Sequence, residues 1–161
     1  MKKLFILLSF LTMFASLTGC NKALVHSRDK DMEPVSRTYN APADEAFKAV
    51  HTVLIHMDYK IQHEDASKGF LQTGWLSTKA NSHYLELFDH ADYGTVGAYY
   101  RLEVHIKEDN GKSIVEVSAP VRGIITGRLK SSHREEKTVL KEIADQLRKE
   151  DFEITNVGVQ E

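Results

Sequence analysis

Cysteine is almost absent from this chain of 161 residues, which contains one, Cys20. A single cysteine has no disulfide partner within the chain and cannot build a site of several thiolates. Long apolar runs are also scarce: the longest, residues 4–15, falls short of the roughly 20 residues that a membrane-spanning helix needs. The sequence therefore predicts a domain that is stable without disulfides and has no membrane span of its own.

An excess of positive charge is also missing, with 21 Lys and Arg against 23 Asp and Glu and a formal net charge of −2. This balance offers no basic patch for nucleic acid. There is no G-x-S-x-G nucleophile motif. The two glycines of Gly94-Thr95-Val96-Gly97 lack the strand-then-helix context of a phosphate-binding loop. We therefore expect a non-enzymatic protein with no cofactor.

The amino terminus has the composition of a secretory signal. Met1, Lys2 and Lys3 form a short cationic end, and the apolar run 4–15 follows at once. A charged end before a short apolar segment is the typical arrangement of a cleaved signal peptide. The chain is therefore expected to leave the cytoplasm.

Leu17-Thr18-Gly19-Cys20 closes this segment and resembles the lipobox of bacterial lipoproteins. The resemblance implies cleavage before Cys20, lipid on its thiol and a fatty acyl chain such as palmitate on the new amino group. Asn21 stands where an Asp commonly retains enterobacterial lipoproteins in the inner membrane, so the resemblance favours the outer membrane, facing the periplasm. The alternative is an ordinary signal peptide with an incidental cysteine.

Three segments follow from this interpretation: a signal peptide over 1–19, a lipidated N-terminus and flexible tether over 20–34, and a single domain over 35–161. Within the domain, residues 35–39 read as a strand. Apolar residues at helical spacing predict a helix over 42–57. Alternating polarity then predicts a hairpin from the strands 59–64 and 70–76.

The clearest strands are 99–107 and 114–121, which alternate apolar and polar side chains and flank an Asn110-Gly111 turn. Ser132 and Glu135 have the spacing of a capping box that opens a last amphipathic helix. The order β-α-β-β-loop-β-β-α predicts an α+β fold, with two helices on one face of an antiparallel sheet.

Residues 77–98 are the least regular stretch, and they concentrate aromatic side chains. We expect an interaction surface there, formed by Tyr84, Phe88, Tyr93 and Tyr99. A ligand pocket beneath this loop is the alternative. The same stretch contains the acidic and histidine side chains that a metal ion would need: His83, Asp89, His90 and Asp92. A polar surface loop explains them equally well, so no metal site is predicted.

The domain also resembles a known family. Ala41-Pro42-Ala43-Asp44-Glu45-Ala46-Phe47, His56 to Ile61, and Lys68 to Trp75 are similar to the repeating unit of BamC-like (NlpB-like) outer-membrane lipoproteins, over about residues 35–150. The resemblance implies a helix-grip fold and a role through protein contact in envelope assembly or maintenance. BamC has two such units and a long N-terminal segment, whereas this chain has one unit.

Overall fold

The computed structural model describes residues 28–79, 81–88, 90–93, 97–124 and 127–156. The predicted signal peptide and Cys20 lie outside the described residues. Two helices, α1 (Ala43–His56) and α2 (Arg134–Asn156), accompany short antiparallel strands. The strands are β1 (Arg28–Lys30), β2 (Val35–Tyr39), β3 (Ile61–Asp65), β4 (Phe70–Thr73), β5 (Leu76–Ser77), β6 (His83–Leu87), β7 (His90–Asp92), β8 (Tyr99–Tyr100), β9 (Glu103–Asp109), β10 (Lys112–Ser118), β11 (Val121–Gly123) and β12 (Leu129–Ser131).

Two of the three sheets have matching strand orders. One sheet has the strand order β2-β10-β9-β4-β3, and the other has the order β1-β11-β8-β5. The first four strands of one sheet and the four strands of the other belong to the same chain segments, taken in the same order, so each of these four segments contributes a strand to both sheets. At the junction Leu102 donates its backbone N–H to the hydroxyl of buried Thr73, 2.9 Å away. A side chain thus replaces a backbone partner where the strands are interrupted.

The third sheet has the order β12-β6-β7. It contains the β6–β7 hairpin, in which Leu85 pairs with Asp92 and Leu87 with His90. On the other edge of β6, Leu85 pairs with Leu129 of β12. This sheet is formed largely by residues 77–98, which the sequence indicates as the least regular stretch.

Helix α1 begins where the sequence predicts, directly after Pro42, and Asp44 and Glu45 occupy the first turn, where the helix dipole favours negative charge. Both helices contact each other and β10. One buried cluster forms between the helices and the sheets, and its members include Val50, Leu54, Tyr100, Val104, Val115, Val117, Val139 and Ile143.

The α+β class, the antiparallel pairing and the two helices are confirmed, but the predicted element order is incomplete. Residues 77–98 contribute a hairpin, and the strands predicted over 99–107 and 114–121 are each divided. The part of the predicted tether from Arg28 to Lys30 is a strand paired with β11, so the folded unit includes it. Its charged residues carry no apolar alternation, which is the signal by which a strand is predicted.

The predicted capping box is also corrected. The hydroxyl of Ser132 lies 2.6 Å from the carbonyl oxygen of Asn81 and 2.9 Å from that of Ser82, to which it donates. Glu135 instead accepts from Tyr59. Neither helix in the described part of the chain has the length and apolar content to cross a bilayer.

Candidate functional site

The β6–β7 hairpin carries three of the four aromatic residues predicted to form an interaction surface. The rings of Tyr84 and Tyr93 lie 5.2 Å apart, centroid to centroid, at a tilt of 41°. Phe88 occupies the turn with a φ of 49° and is 94% exposed. The hairpin therefore presents an aromatic pair, formed by Tyr84 on β6 and Tyr93 directly after β7, and a separate apolar side chain, Phe88, in its turn.

Tyr99, the fourth predicted residue, lies on β8 in a different sheet. It is directly opposite Arg122 of β11 and Ser77 of β5. Directly opposed side chains of antiparallel strands project from the same face of a sheet. Tyr99 thus belongs to a second surface, which the sequence did not separate from the hairpin.

This second surface is centred on Trp75. The guanidinium carbon of Arg122 lies 4.4 Å from the centre of the Trp75 ring, and that of Arg101 lies 4.7 Å from it. Both distances are within the range of cation–π attraction. We call the group formed by Asp29, Trp75, Tyr99, Arg101, Glu103 and Arg122 the arginine–tryptophan face.

Each arginine of the arginine–tryptophan face is also held by a carboxylate. Arg122 makes a bidentate contact with Asp29, with N–O distances of 2.6 and 3.0 Å. The hydrogen bond from Arg122 holds the pKa of the Asp29 carboxyl below its ordinary value. On the other side, Arg101 lies 2.6 Å from Glu103, which also accepts from Gln72 at 2.9 Å. The face is therefore a preorganised, partly exposed set of aromatic and paired charged groups.

A buried hydrogen-bonded network lies beneath β6. The hydroxyls of Tyr59 and Tyr100 are 3.3 Å apart, and the Tyr59 hydroxyl donates to Oε2 of Glu135 at 3.1 Å. The His83 ring lies 5.5 Å from that of Tyr100. Burial raises the pKa of both tyrosines, so their hydroxyls stay protonated and serve as hydrogen-bonding groups.

His83 is fully buried, and both of its ring nitrogens have partners. Nε2 lies 3.2 Å from the carbonyl oxygen of Ala119, which can only accept, so the proton is assigned to Nε2. Nδ1 lies 3.1 Å from the Ser82 hydroxyl. Burial lowers the pKa of His83, against the opposing effects of the Ala119 carbonyl and the nearby Glu136 and Glu135 carboxylates. The imidazole is therefore a neutral core group.

Glu136 is the buried carboxylate at the start of α2. Its Oε1 accepts from the Ser131 hydroxyl at 2.7 Å and lies 3.5 Å from Nδ1 of His133. Its Oε2 has no hydrogen-bond partner in the structure. Ser131 and His133 also line an open cleft of about 380 Å³, together with Tyr84, Leu129 and the β1–β2 connection.

The histidines weighed as metal ligands have other surroundings. His83 is buried as described, and His90 is exposed on β7. Asp89 lies outside the described residues. Within the described ranges, no three His, Cys, Asp or Glu side chains are grouped as ligands of one ion would be.

Sequence reasoning missed the arginine–tryptophan face and the network around Tyr59. The alternation of apolar and polar residues over 99–107 does predict that Arg101 faces solvent, so this one residue of the face could have been found from the sequence. The approach of Arg122 and Asp29 depends on pairing between strands more than 90 residues apart, which periodicity within one segment does not report.

Comparison with known proteins adds little. No protein-family model matches the chain, and neither does any curated protein. Two solved structures of norcoclaurine synthase from Thalictrum flavum, one in complex with dopamine and hydroxybenzaldehyde, are similar at 14% and 15% identity. They cover 85% of this chain, and 95% and 96% of their own, with a TM-score of 0.40. At this TM-score the similarity carries no argument about fold or activity.

Proposed function

We propose that this chain is a lipoprotein anchored through Cys20 to the outer membrane and facing the periplasm. Its domain has no catalytic activity and acts by contact with a protein partner in the assembly or maintenance of the envelope. The signal-like segment 1–16 and the lipobox at 17–20 support the anchor. The BamC-like pattern of residues 35–150 supports the envelope role.

The arginine–tryptophan face is the observation that carries the proposal of protein contact. Trp, Tyr and Arg are the residue types most enriched at the energetic centres of protein interfaces. Here two guanidinium groups lie 4.4 and 4.7 Å from the centre of the Trp75 ring, so little side-chain freedom would be lost on binding. Because each arginine is paired with a carboxylate, the face suits a polar protein surface better than a polyanion.

The hydrogen bonds of two buried titratable groups, His83 and Tyr59, support a non-catalytic role for these two residues. His83 is engaged by Ala119 and Ser82, and the hydroxyl of Tyr59 by Glu135 and Tyr100. A general base must have a nitrogen or oxygen free to reach a substrate proton. The Tyr59 hydroxyl instead connects α2 to β8, and His83 connects β6 to the segment between β10 and β11.

Site-specific crosslinking in intact cells tests the proposal. A photo-activatable residue replaces Tyr99 on the arginine–tryptophan face, and a control replaces Lys112, which is exposed at the start of β10. We expect a discrete adduct with one envelope protein from position 99 only. Arg122→Ala should abolish that adduct, since it removes the guanidinium nearer to the Trp75 ring and the partner of Asp29. Equal adduct patterns at positions 99 and 112 would contradict the proposal.

Ligand binding is a second candidate, favoured by the cleft of about 380 Å³ between Tyr84, Leu129, Ser131 and His133. Its volume is at the lower end of the range for small-molecule sites. Native mass spectrometry of the protein purified from the envelope tests it. A ligand of defined mass, lost in Ser131→Trp, would support binding in this cleft, and a ligand-free spectrum would count against it.

A further inference from the structure

Two large apolar side chains are exposed directly after strands β6 and β11. Phe88, in the β6–β7 turn, is 94% exposed, and Ile124, directly after β11, is 73% exposed. These are the two highest values among the exposed large apolar residues of the described ranges. Such side chains at turn positions are not explained by packing within the domain.

Strand pairing brings Phe88 and the residues that follow Ile124 to one end of the molecule. The β6–β12 register pairs Leu85 with Leu129, and its continuation puts Gly127 opposite Leu87. Glu86 donates its backbone N–H to the carbonyl of Arg128 at 3.3 Å, which extends the contact. Leu87, which precedes Phe88, and Gly127, three residues after Ile124, therefore lie side by side.

The chain enters the domain at the same end. Arg28, the first described residue, pairs with Gly123, which precedes Ile124. The Lys30 ammonium donates to the carbonyl oxygens of Gly127 at 3.2 Å and Leu129 at 2.7 Å, so β1 is tied to the same connection. Cys20 precedes Arg28 by eight residues, which span at most about 29 Å when fully extended.

Positive charge accompanies the apolar tips. Arg28, which pairs with Gly123, and Arg128, which follows Gly127, are both exposed. Arginine side chains near a bilayer are attracted to anionic headgroups. A protein surface enters the boundary between headgroups and acyl chains through exposed apolar side chains, and neighbouring basic residues strengthen this binding.

We propose that Phe88 and Ile124 insert into the headgroup region of the membrane that holds Cys20. The inference rests on the anchor proposed above and adds a second contact with the same lipid surface. The lipidated N-terminus and the side chains of Phe88 and Ile124 together fix the orientation of the domain on the bilayer. Lipid is thus the occupant of this end, whereas the arginine–tryptophan face is assigned to a protein.

Depth-dependent quenching tests this arrangement in the full-length chain. Three variants, Phe88→Cys, Ile124→Cys and the control Ile55→Cys, are produced in bacterial cells. Ile55 is 52% exposed on α1 and serves as a matched apolar surface position. Because Cys20 is the only native cysteine, the lipidated variants each offer one free thiol for an environment-sensitive fluorophore. The proteins are reconstituted in phosphatidylethanolamine–phosphatidylglycerol vesicles with nitroxide-labelled lipid.

We expect several-fold stronger lipid quenching at positions 88 and 124 than at position 55, with unchanged circular dichroism. Equal quenching at all three positions, in protein whose intact mass includes lipid on Cys20, would overturn the docking and leave the anchor standing. Protection of positions 88 and 124 from an aqueous quencher without lipid quenching would assign this end to a protein contact, which also overturns it. An unmodified Cys20 overturns the anchor, and the docking with it.

Discussion

The Tyr59 hydroxyl lies 3.1 Å from Oε2 of Glu135, so the residue that follows the turn after α1 is tied to the first turn of α2. The same hydroxyl lies 3.3 Å from that of Tyr100 on β8. One oxygen therefore connects both helices to the sheet.

Tyr59→Phe is expected to destabilise the domain. The substitution keeps the ring and leaves Tyr100 and Glu135 without this partner, at a cost of about 1–3 kcal/mol. Urea denaturation of the purified protein measures the change. Tyr93→Phe is the control, because Tyr93 is 42% exposed, and it should change stability by no more than about 0.5 kcal/mol. Equal effects would show that the Tyr59 network contributes nothing specific.

Gly69→Ala is expected to be severe. Gly69 has a φ of 60°, and an added Cβ would clash with the backbone carbonyl oxygen of Ile106, which cannot move aside. The positive φ alone costs about 1–2 kcal/mol, and the backbone clash should raise the loss beyond about 3 kcal/mol.

Gly111→Ala separates the two causes. Gly111 has a φ of 75°, but nothing lies within 4 Å of an added Cβ. This variant should lose only about 1–2 kcal/mol from the positive φ. Thermal unfolding of both variants measures the difference, and equal losses would rule out the clash at Ile106.

His83 should make stability depend on pH. Because burial lowers its pKa below the ordinary 6.5, the unfolded chain binds a proton more readily than the folded one. Stability is therefore fully present above pH 6.5 and is lost as the pH falls toward the folded-state value, by at most about 1.4 kcal/mol per pH unit. His83→Gln should flatten this slope between pH 7.5 and 5.5, measured by denaturant unfolding. An unchanged slope would locate the pH dependence elsewhere.

The sequence predicted the elements whose pattern lies within one segment. The spacing from Ala46 to Leu54 predicted α1, and Asn110-Gly111 between two alternating segments predicted the β9–β10 hairpin, both of which are confirmed. The strand β1 was not predicted, because Arg28, Asp29 and Lys30 are all polar and pair with residues 121–123, more than 90 residues along the chain.

The residues of the candidate site divide in the same way, into those that a pattern within one segment indicates and those whose position depends on pairing between distant strands. Phe88 and Tyr93 were recognised from composition alone, and their exposure agrees with a surface location. The separation of Tyr99 from them depends on its pairing with Arg122 of β11, a strand of another chain segment in the same sheet. The ordering of Arg101 and Arg122 around Trp75 likewise depends on three strands meeting, which a single sequence does not reveal.

The intact mass of the chain extracted from the cell envelope tests the central claim most directly. The proposed anchor requires a polypeptide that begins at Cys20 and carries the added mass of a thioether-linked diacylglycerol and an N-terminal acyl chain. Cys20→Ala should abolish this species and release the protein from the outer-membrane fraction. A chain that begins elsewhere, or begins at Cys20 without lipid, would contradict the account.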